Sequence, residues 1–419
     1  MITKIINNKY IFSLITKILL VFMGVFSSAF INRYLGPSLK GEYAYILNII
    51  NLIVLILNLG IYQSYPFYKR KNIENIKQKY FNIFVLQFIL YLLISIFLNM
   101  LLANDNIYFF IFTLIPFMIL SNQLTFLSMV EDINLKNKIS IGNQFFYTLI
   151  LLIIFLFTQQ NFLYLIAILY LKEIALIIRT ITKFDLKFDL NCINVCLIKN
   201  SIKFGLFPML TMLLINMNYK FDVIILNLFV DFEQIGYYTV GTGLASLIWV
   251  IPDAAKEVLF SKTAKKDSIE DITLSIKINL YISLLIVLII IILGKLLIML
   301  LYGKEFLNAY MVTVILFLGI IPMIFYKLIY TLFIAKGKQK ISFNILLISV
   351  LLNIASNFVF IPTYGITGAA IASVMSYTIC GGCFLYIFLR DFNVRLRDVI
   401  ILNKEEVEKL KIYKENKFR

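Results

Sequence analysis

Long apolar runs alternate with short polar breaks along this chain, and the alternation predicts its elements. Crossing the hydrocarbon core of a bilayer takes about 20 apolar residues in a helix. On that measure the runs divide into twelve predicted spans: 10–31, 43–66, 81–103, 107–130, 139–158, 161–180, 204–229, 237–257, 274–301, 309–335, 341–361 and 366–389. The first run, Tyr10 to Ile31, is long enough to span and lacks a small-residue cleavage site, so it reads as a span and not as a leader. No break between spans is long enough for a separate folded domain, so function is expected within the helices or at their ends.

Composition agrees with the pattern. The 419 residues are 61% apolar and 15% charged, with a mean hydropathy of +0.90. A soluble domain runs to about 45–50% apolar and about 25% charged. A cytosolic enzyme, a secreted disulfide scaffold and a disordered chain are excluded. The expected class is an all-α integral membrane protein.

The net charge of +16 raises the question of nucleic acid. Its distribution answers it. Of the 39 Lys and Arg, 31 lie on one side, in the termini, in alternate breaks or at the adjoining span ends, three (Arg33, Lys40, Lys304) lie on the other, and five (Lys17, Lys172, Lys220, Lys295, Lys327) fall deeper within spans. Cytoplasmic loops carry such an excess, so both termini are expected inside the cell and no nucleic-acid partner is implied. The absence of His removes the commonest metal ligand and general base; no metal, cofactor or catalytic set is expected. Cys380-Gly-Gly-Cys383 has redox spacing but lies inside an apolar run, where small residues serve helix packing.

An internal repeat is legible. Asn32, Gly41 and Tyr43 recur as Asn227, Gly236 and Tyr238 at one offset, which also carries the first span onto the seventh and the third onto the ninth. The reading is a six-plus-six duplication, 1–200 and 201–390, followed by a charged cytoplasmic tail, 391–419. Six is even, so the halves enter from the same side. Parallel repeats of this kind place a substrate path between them.

The connection Arg33-Tyr34-Leu35-Gly36-Pro37 with Gly41 and Tyr43 resembles the signature of the polysaccharide flippases. These belong to the multidrug/oligosaccharidyl-lipid/polysaccharide exporter superfamily. Asn353, Asn357, Ile361-Pro362, Tyr364-Gly365 and Gly368-Ala369-Ala370-Ile371-Ala372 are similar to its C-terminal pattern, and Asp222 with Gly236-Tyr237-Tyr238 to its D…GxY element. The resemblance implies two parallel six-helix bundles around a central cavity. It implies alternating-access translocation of undecaprenyl-diphosphate-linked oligosaccharide in a bacterial cytoplasmic membrane, for O-antigen or capsule synthesis. It further implies membrane lipids, H+ or Na+ coupling and glycan-polymerase machinery as partners. Read physically, Gly36-Pro37 turns the chain, Pro362 interrupts a span, and Gly365 and Gly368 allow close helix approach. Asn353 and Asn357 share a helix face, for interhelical packing or for lining a polar cavity.

Ionisable residues within spans are costly and so are functional candidates. Lys17, Lys172, Lys220 and Lys327 outnumber the acids near them and suggest a hydrated cationic cavity for a pyrophosphate; paired structural lysines are the alternative. Glu173, Asp222 and Asp253 are candidates for ion coupling. The competing functions are a drug or metabolite exporter, which would favour an acid-rich cavity, and a membrane glycan polymerase or ligase, which would need a large outer loop that this chain lacks.

Overall fold

The computed structural model describes residues 9–102, 106–189, 193–263 and 269–402. Among them every regular element is helical. In chain order these are α1 (Lys9–Leu57), α2 (Tyr65–Arg70), α3 (Ile76–Leu102), α4 (Asn106–Glu131), α5 (Ile133–Phe157), α6 (Phe162–Lys183) and α7 (Val195–Leu226). There follow α8 (Phe232–Ile248), α9 (Val250–Thr263), α10 (Ile269–Leu301), α11 (Ala309–Phe317), α12 (Ile320–Ala335), α13 (Gln339–Phe392) and α14 (Leu396–Ile400). Most of the tail, from residue 403, and Cys192 lie outside the described residues.

Seven of these helices are long and apolar enough to cross a membrane, and the bent pairs α8–α9 and α11–α12 bring the number to nine. Two helices each hold two lengths. In α1 the run breaks at Gly36 (φ 66°, ψ 178°), and in α13 at Gly365 (φ 55°, ψ −134°). Those torsions suit only glycine, because a Cβ would clash with the backbone. With α6, whose Lys172, Glu173 and Arg179 dilute its apolar character, the described residues supply twelve membrane-length segments. The twelve runs were therefore legible. Their ends were less so: helix runs up to Gly36 and resumes beyond it, so the connection is a single residue at the expected Gly36-Pro37 turn, whereas helix runs through Pro362 and breaks three residues later at Gly365.

Burial is inverted relative to a soluble protein. In Ile269–Leu301, the most apolar segment, only 11% of its most apolar 18-residue stretch is buried, and Phe157 and Ile292 are 80% and 70% exposed. Polar residues such as Gln123, Asn353 and Ser349 are fully buried instead. A lipid solvent explains both, since it welcomes apolar surface and leaves polar groups no partner except each other.

The chain forms two compact units, Met1–Asn216 and Met217–Arg419. The first has a core of Tyr65, Tyr80, Phe84, Leu124 and Leu127. Its polar ties include Gln123 Nε2 donating to Asn58 (2.9 Å) and to Gln87 (2.8 Å). Lys69 pairs with Glu131 at 2.5 Å, and the Tyr65 hydroxyl donates to the same carboxylate. Burial and that acceptor hold the Tyr65 phenol well above its ordinary range. In the second unit α12 packs on α13, whose two limbs meet α7 and α8 around the polar groups described next.

Candidate functional site

Three- and four-residue spacing aligns side chains along one helix face, and the second unit uses it three times. Asn218 and Asp222 share a face of α7; Ser349, Asn353 and Asn357 share one on the first limb of α13; Ser373 and Ser376 lie on its second limb. Asp222, 1% exposed, sits where these faces meet. One of its oxygens accepts from Tyr238 (2.7 Å) and Ser373 (2.5 Å), the other from Asn357 Nδ2 (2.9 Å). Asn357 also donates to Asn353. Ser376 donates to Asn218 Oδ1, and Asn218 to Ser349 (3.1 Å), which extends the network along α7.

Among the described residues no Lys or Arg pairs with Asp222. A buried carboxylate met only by neutral donors is expensive. Beside it, Asn357 Oδ1 and Asn353 Nδ2 are buried with no partner. The oxygens of Asp222, Asn353, Asn357 and Ser373 are hard donors, and a single carboxylate among neutral oxygens suits one small monovalent cation or a proton. No group of three or more His, Cys, Asp or Glu able to hold a metal occurs among the described residues.

A second cluster lies at the bend between α8 and α9. Lys327 Nζ is 2.7 Å from both oxygens of Asp253. It also stands over the rings of Trp249 (5.1 Å) and Tyr219 (5.9 Å). Tyr219, Trp249 and Tyr377 pack together, with centroids 4.7–5.8 Å apart. Lys327 is thus a paired lysine in this state, and Asp253 is its partner.

In the first unit, Ser121 donates to Glu173, whose other oxygen is 4.0 Å from Lys172 Nζ. Lys172 stands over Tyr147 at 5.0 Å, and its carbonyl accepts from Asn143. Lys17 is half-buried on α1 and Lys220 is exposed on α7, two residues from Asp222 and so on another face. The lysines read from the sequence are therefore differently placed: Lys172 and Lys327 have acids, and Lys220 faces away from the network of its own helix. Of the motif residues, Asn353 and Asn357 hold Asp222, and Gly36 and Gly365 make the kinks. Gly41 and Gly368 are buried, Arg33 and Pro362 exposed, and Pro37 partly buried.

Sequence reasoning missed Tyr238 and Ser373 as donors to the acid, and Asn218 and Ser376 as members of the network that extends from it. It also counted Lys277 with the cytoplasmic charges at the end of a span, whereas it is 1% exposed within α10. The helix begins near Ile269, so Lys277 falls two turns inside it, with buried Thr273 one turn before it on the same face.

A family model described as lipid II flippase MurJ matches residues 250–411. The capsular polysaccharide biosynthesis protein CapF of Staphylococcus aureus is 28% identical over 132 residues, 31% of this chain and 33% of CapF, so the matched stretch spans about a third of that relative. A structure of lipid II flippase MurJ in an inward closed conformation superposes with a TM-score of 0.73 at 16% identity, over 93% of this chain and 88% of that one. An inward-facing multidrug resistance MATE family transporter of the MOP superfamily gives 0.68 at 14% identity, over 89% and 95%. The fold is that of MurJ- and MATE-like membrane transporters, and the chain is a multi-pass membrane protein.

Proposed function

We propose that this chain is a flippase that carries undecaprenyl-diphosphate-linked oligosaccharide across a bacterial cytoplasmic membrane for surface polysaccharide synthesis. The observation that carries the reading is the placement of its chemistry. Asp222, Asn353, Asn357 and Lys327 are buried within membrane-length segments. The match to a lipid II flippase family model and the partial likeness to a capsule protein support a lipid-linked substrate. A sugar on a pyrophosphate needs a polar path with cationic contacts, while its lipid tail remains in the bilayer. Lys327 and Lys172 are the cations proposed for the pyrophosphate, with Lys17 and Lys220 as further contacts.

Asp222 is the proposed coupling site. With a bound cation or proton it is neutral overall and its surroundings relax; without one it is a bare buried charge. Such a difference biases a conformational equilibrium, which is what alternating access requires. Glu173, with Ser121 and Lys172 beside it, is the corresponding candidate in the first unit. Both termini are proposed to lie in the cytoplasm, as the Lys and Arg distribution favours.

The test is cellular. Deleting the gene is expected to accumulate lipid-linked repeat units in the inner leaflet, and re-expression is expected to clear them. Accumulation of polymerised but unattached glycan would assign the chain to a polymerase or ligase role instead.

A further inference from the structure

We propose that the Lys327–Asp253 pair is an exchangeable anion site: a phosphate group displaces the Asp253 carboxylate from Lys327 and takes the indole N–H of Trp249 as a second donor. The proposal rests on the flippase reading above and names how its substrate's head group is held.

The pair is lopsided. The Lys327 side chain is 7% exposed, whereas that of Asp253 is 47% exposed. The cation is thus fixed inside the protein and its carboxylate stands over it at an accessible edge. Both carboxylate oxygens are spent on one ammonium, at 2.7 Å each. The ring faces of Trp249 and Tyr219 also stand against that ammonium and hold a cation without neutralising it. Among the described residues the acid paired with it is Asp253, which is detachable.

Beside it is an unmet donor. Trp249 Nε1 is buried and has no hydrogen-bond partner. Burying a donor unpaired is costly, and indole nitrogens in protein interiors usually find an acceptor. An anion arriving at Lys327 brings acceptor oxygens to the same place. Lys256, one turn beyond Asp253 and with its ammonium 5.1 Å over Tyr330, adds positive charge on that approach. A phosphate carries more charge than a carboxylate and offers oxygens in more directions, and Lys binds it as a point charge. The exchange never leaves Lys327 bare, which matters in a low-dielectric setting.

Position gives the exchange a consequence. Trp249 lies at the 42° bend between α8 and α9, Asp253 in the first turn of α9, and Lys327 within α12. Removing Asp253 from Lys327 releases the ionic tie between α9 and α12. Anion binding would then loosen one helix against another at a joint already bent.

Trp249 is the chain's single Trp, so its emission reports on the site. The purified full-length chain is titrated with inorganic pyrophosphate and, separately, with undecaprenyl diphosphate. A saturable emission change is expected. A response to both probes places the recognition in the pyrophosphate itself, and a response to the lipid alone adds the tail as a requirement; either supports the site. Asp253→Asn removes the competing charge and is expected to tighten binding about tenfold. Lys327→Gln is expected to abolish the response; should it fold poorly, the Asp253→Asn/Lys327→Gln pair removes both charges and serves the same purpose. Trp249→Phe keeps the ring and loses the N–H, and calorimetry is expected to show about fivefold weaker binding. No saturable response to either probe, an Asp253→Asn variant that binds no more tightly, or a Trp249→Phe variant that binds equally well would overturn the proposal. Those outcomes leave the leaflet-accumulation test untouched, so a flippase lacking this site and a site on a protein that is not a flippase are distinguishable.

Discussion

Asp222 is a carboxylate with three neutral donors and no cation in contact, 1% exposed in a membrane protein. Its presence inside a span and the four-residue spacing of Asn353 and Asn357 are both visible in the sequence. That the two asparagines serve the acid is not, because a helix face shows which residues are neighbours and not which helix they meet. Tyr238 is visible in the element it shares with Asp222, though not as a donor to that acid; Ser373 and Ser376 are silent because serines are ordinary in apolar helices, where they bond their own backbone. If Asp222 is the coupling site, the wild-type chain should be stabilised by Na+ at fixed pH, or by a proton at fixed Na+. Ligand at a hundred times its Kd contributes about 2.7 kcal/mol. Asp222→Asn is expected to lower basal stability by about 1–3 kcal/mol, since three donors then face an amide, and to erase the ion-dependent increment. Thermal unfolding in detergent measures both. An Asp222→Asn protein that keeps the full ion response would remove the residue from coupling.

At the scale of elements, the kinks carry a lesson about what proline and glycine do in this chain. Gly36-Pro37 was the expected turn and the chain breaks there, at Gly36; Pro362 was expected to interrupt its span, yet helix continues past it and the torsion changes sign at Gly365. Proline removes one donor and crowds one carbonyl, which a membrane helix absorbs by local adjustment; a left-handed residue redirects the whole chain. The Cys380-Gly381-Gly382-Cys383 run is legible in the same physical terms. A Cβ at Gly381 would fall 2.0 Å from the Pro322 carbonyl oxygen, whereas one at Gly382 would meet nothing within 4 Å. The first glycine is a contact between α12 and α13, and both cysteines are free thiols. Gly381→Ala is therefore expected to cost about 1–3 kcal/mol or more by forcing the helices apart, while Gly382→Ala is expected to be neutral or slightly stabilising. Unfolding temperatures of the two variants check this directly, and equal values would mean that the helices yield without cost.

For the whole molecule, hydropathy gave the class because a chain that is 61% apolar has too little polar surface for water. It gave the twelve segments because each must be membrane-length. It could not give the pairing of Lys327 with Asp253, which brings together residues 74 positions apart, or the burial of Lys277, which the sequence puts at a span end. Lysines counted from the sequence as unneutralised charge turn out in part to have acids: Lys172 has Glu173 and Lys327 has Asp253. The central claim is translocation of a lipid-linked oligosaccharide driven through Asp222. Its most direct test reconstitutes the chain in vesicles loaded with such a lipid on one leaflet and follows its arrival on the other under an imposed Na+ or proton gradient. The wild-type chain should move the lipid in a gradient-dependent way, and Asp222→Asn should reduce the rate at least tenfold. Movement that is equal in wild-type, Asp222→Asn and protein-free vesicles would contradict it.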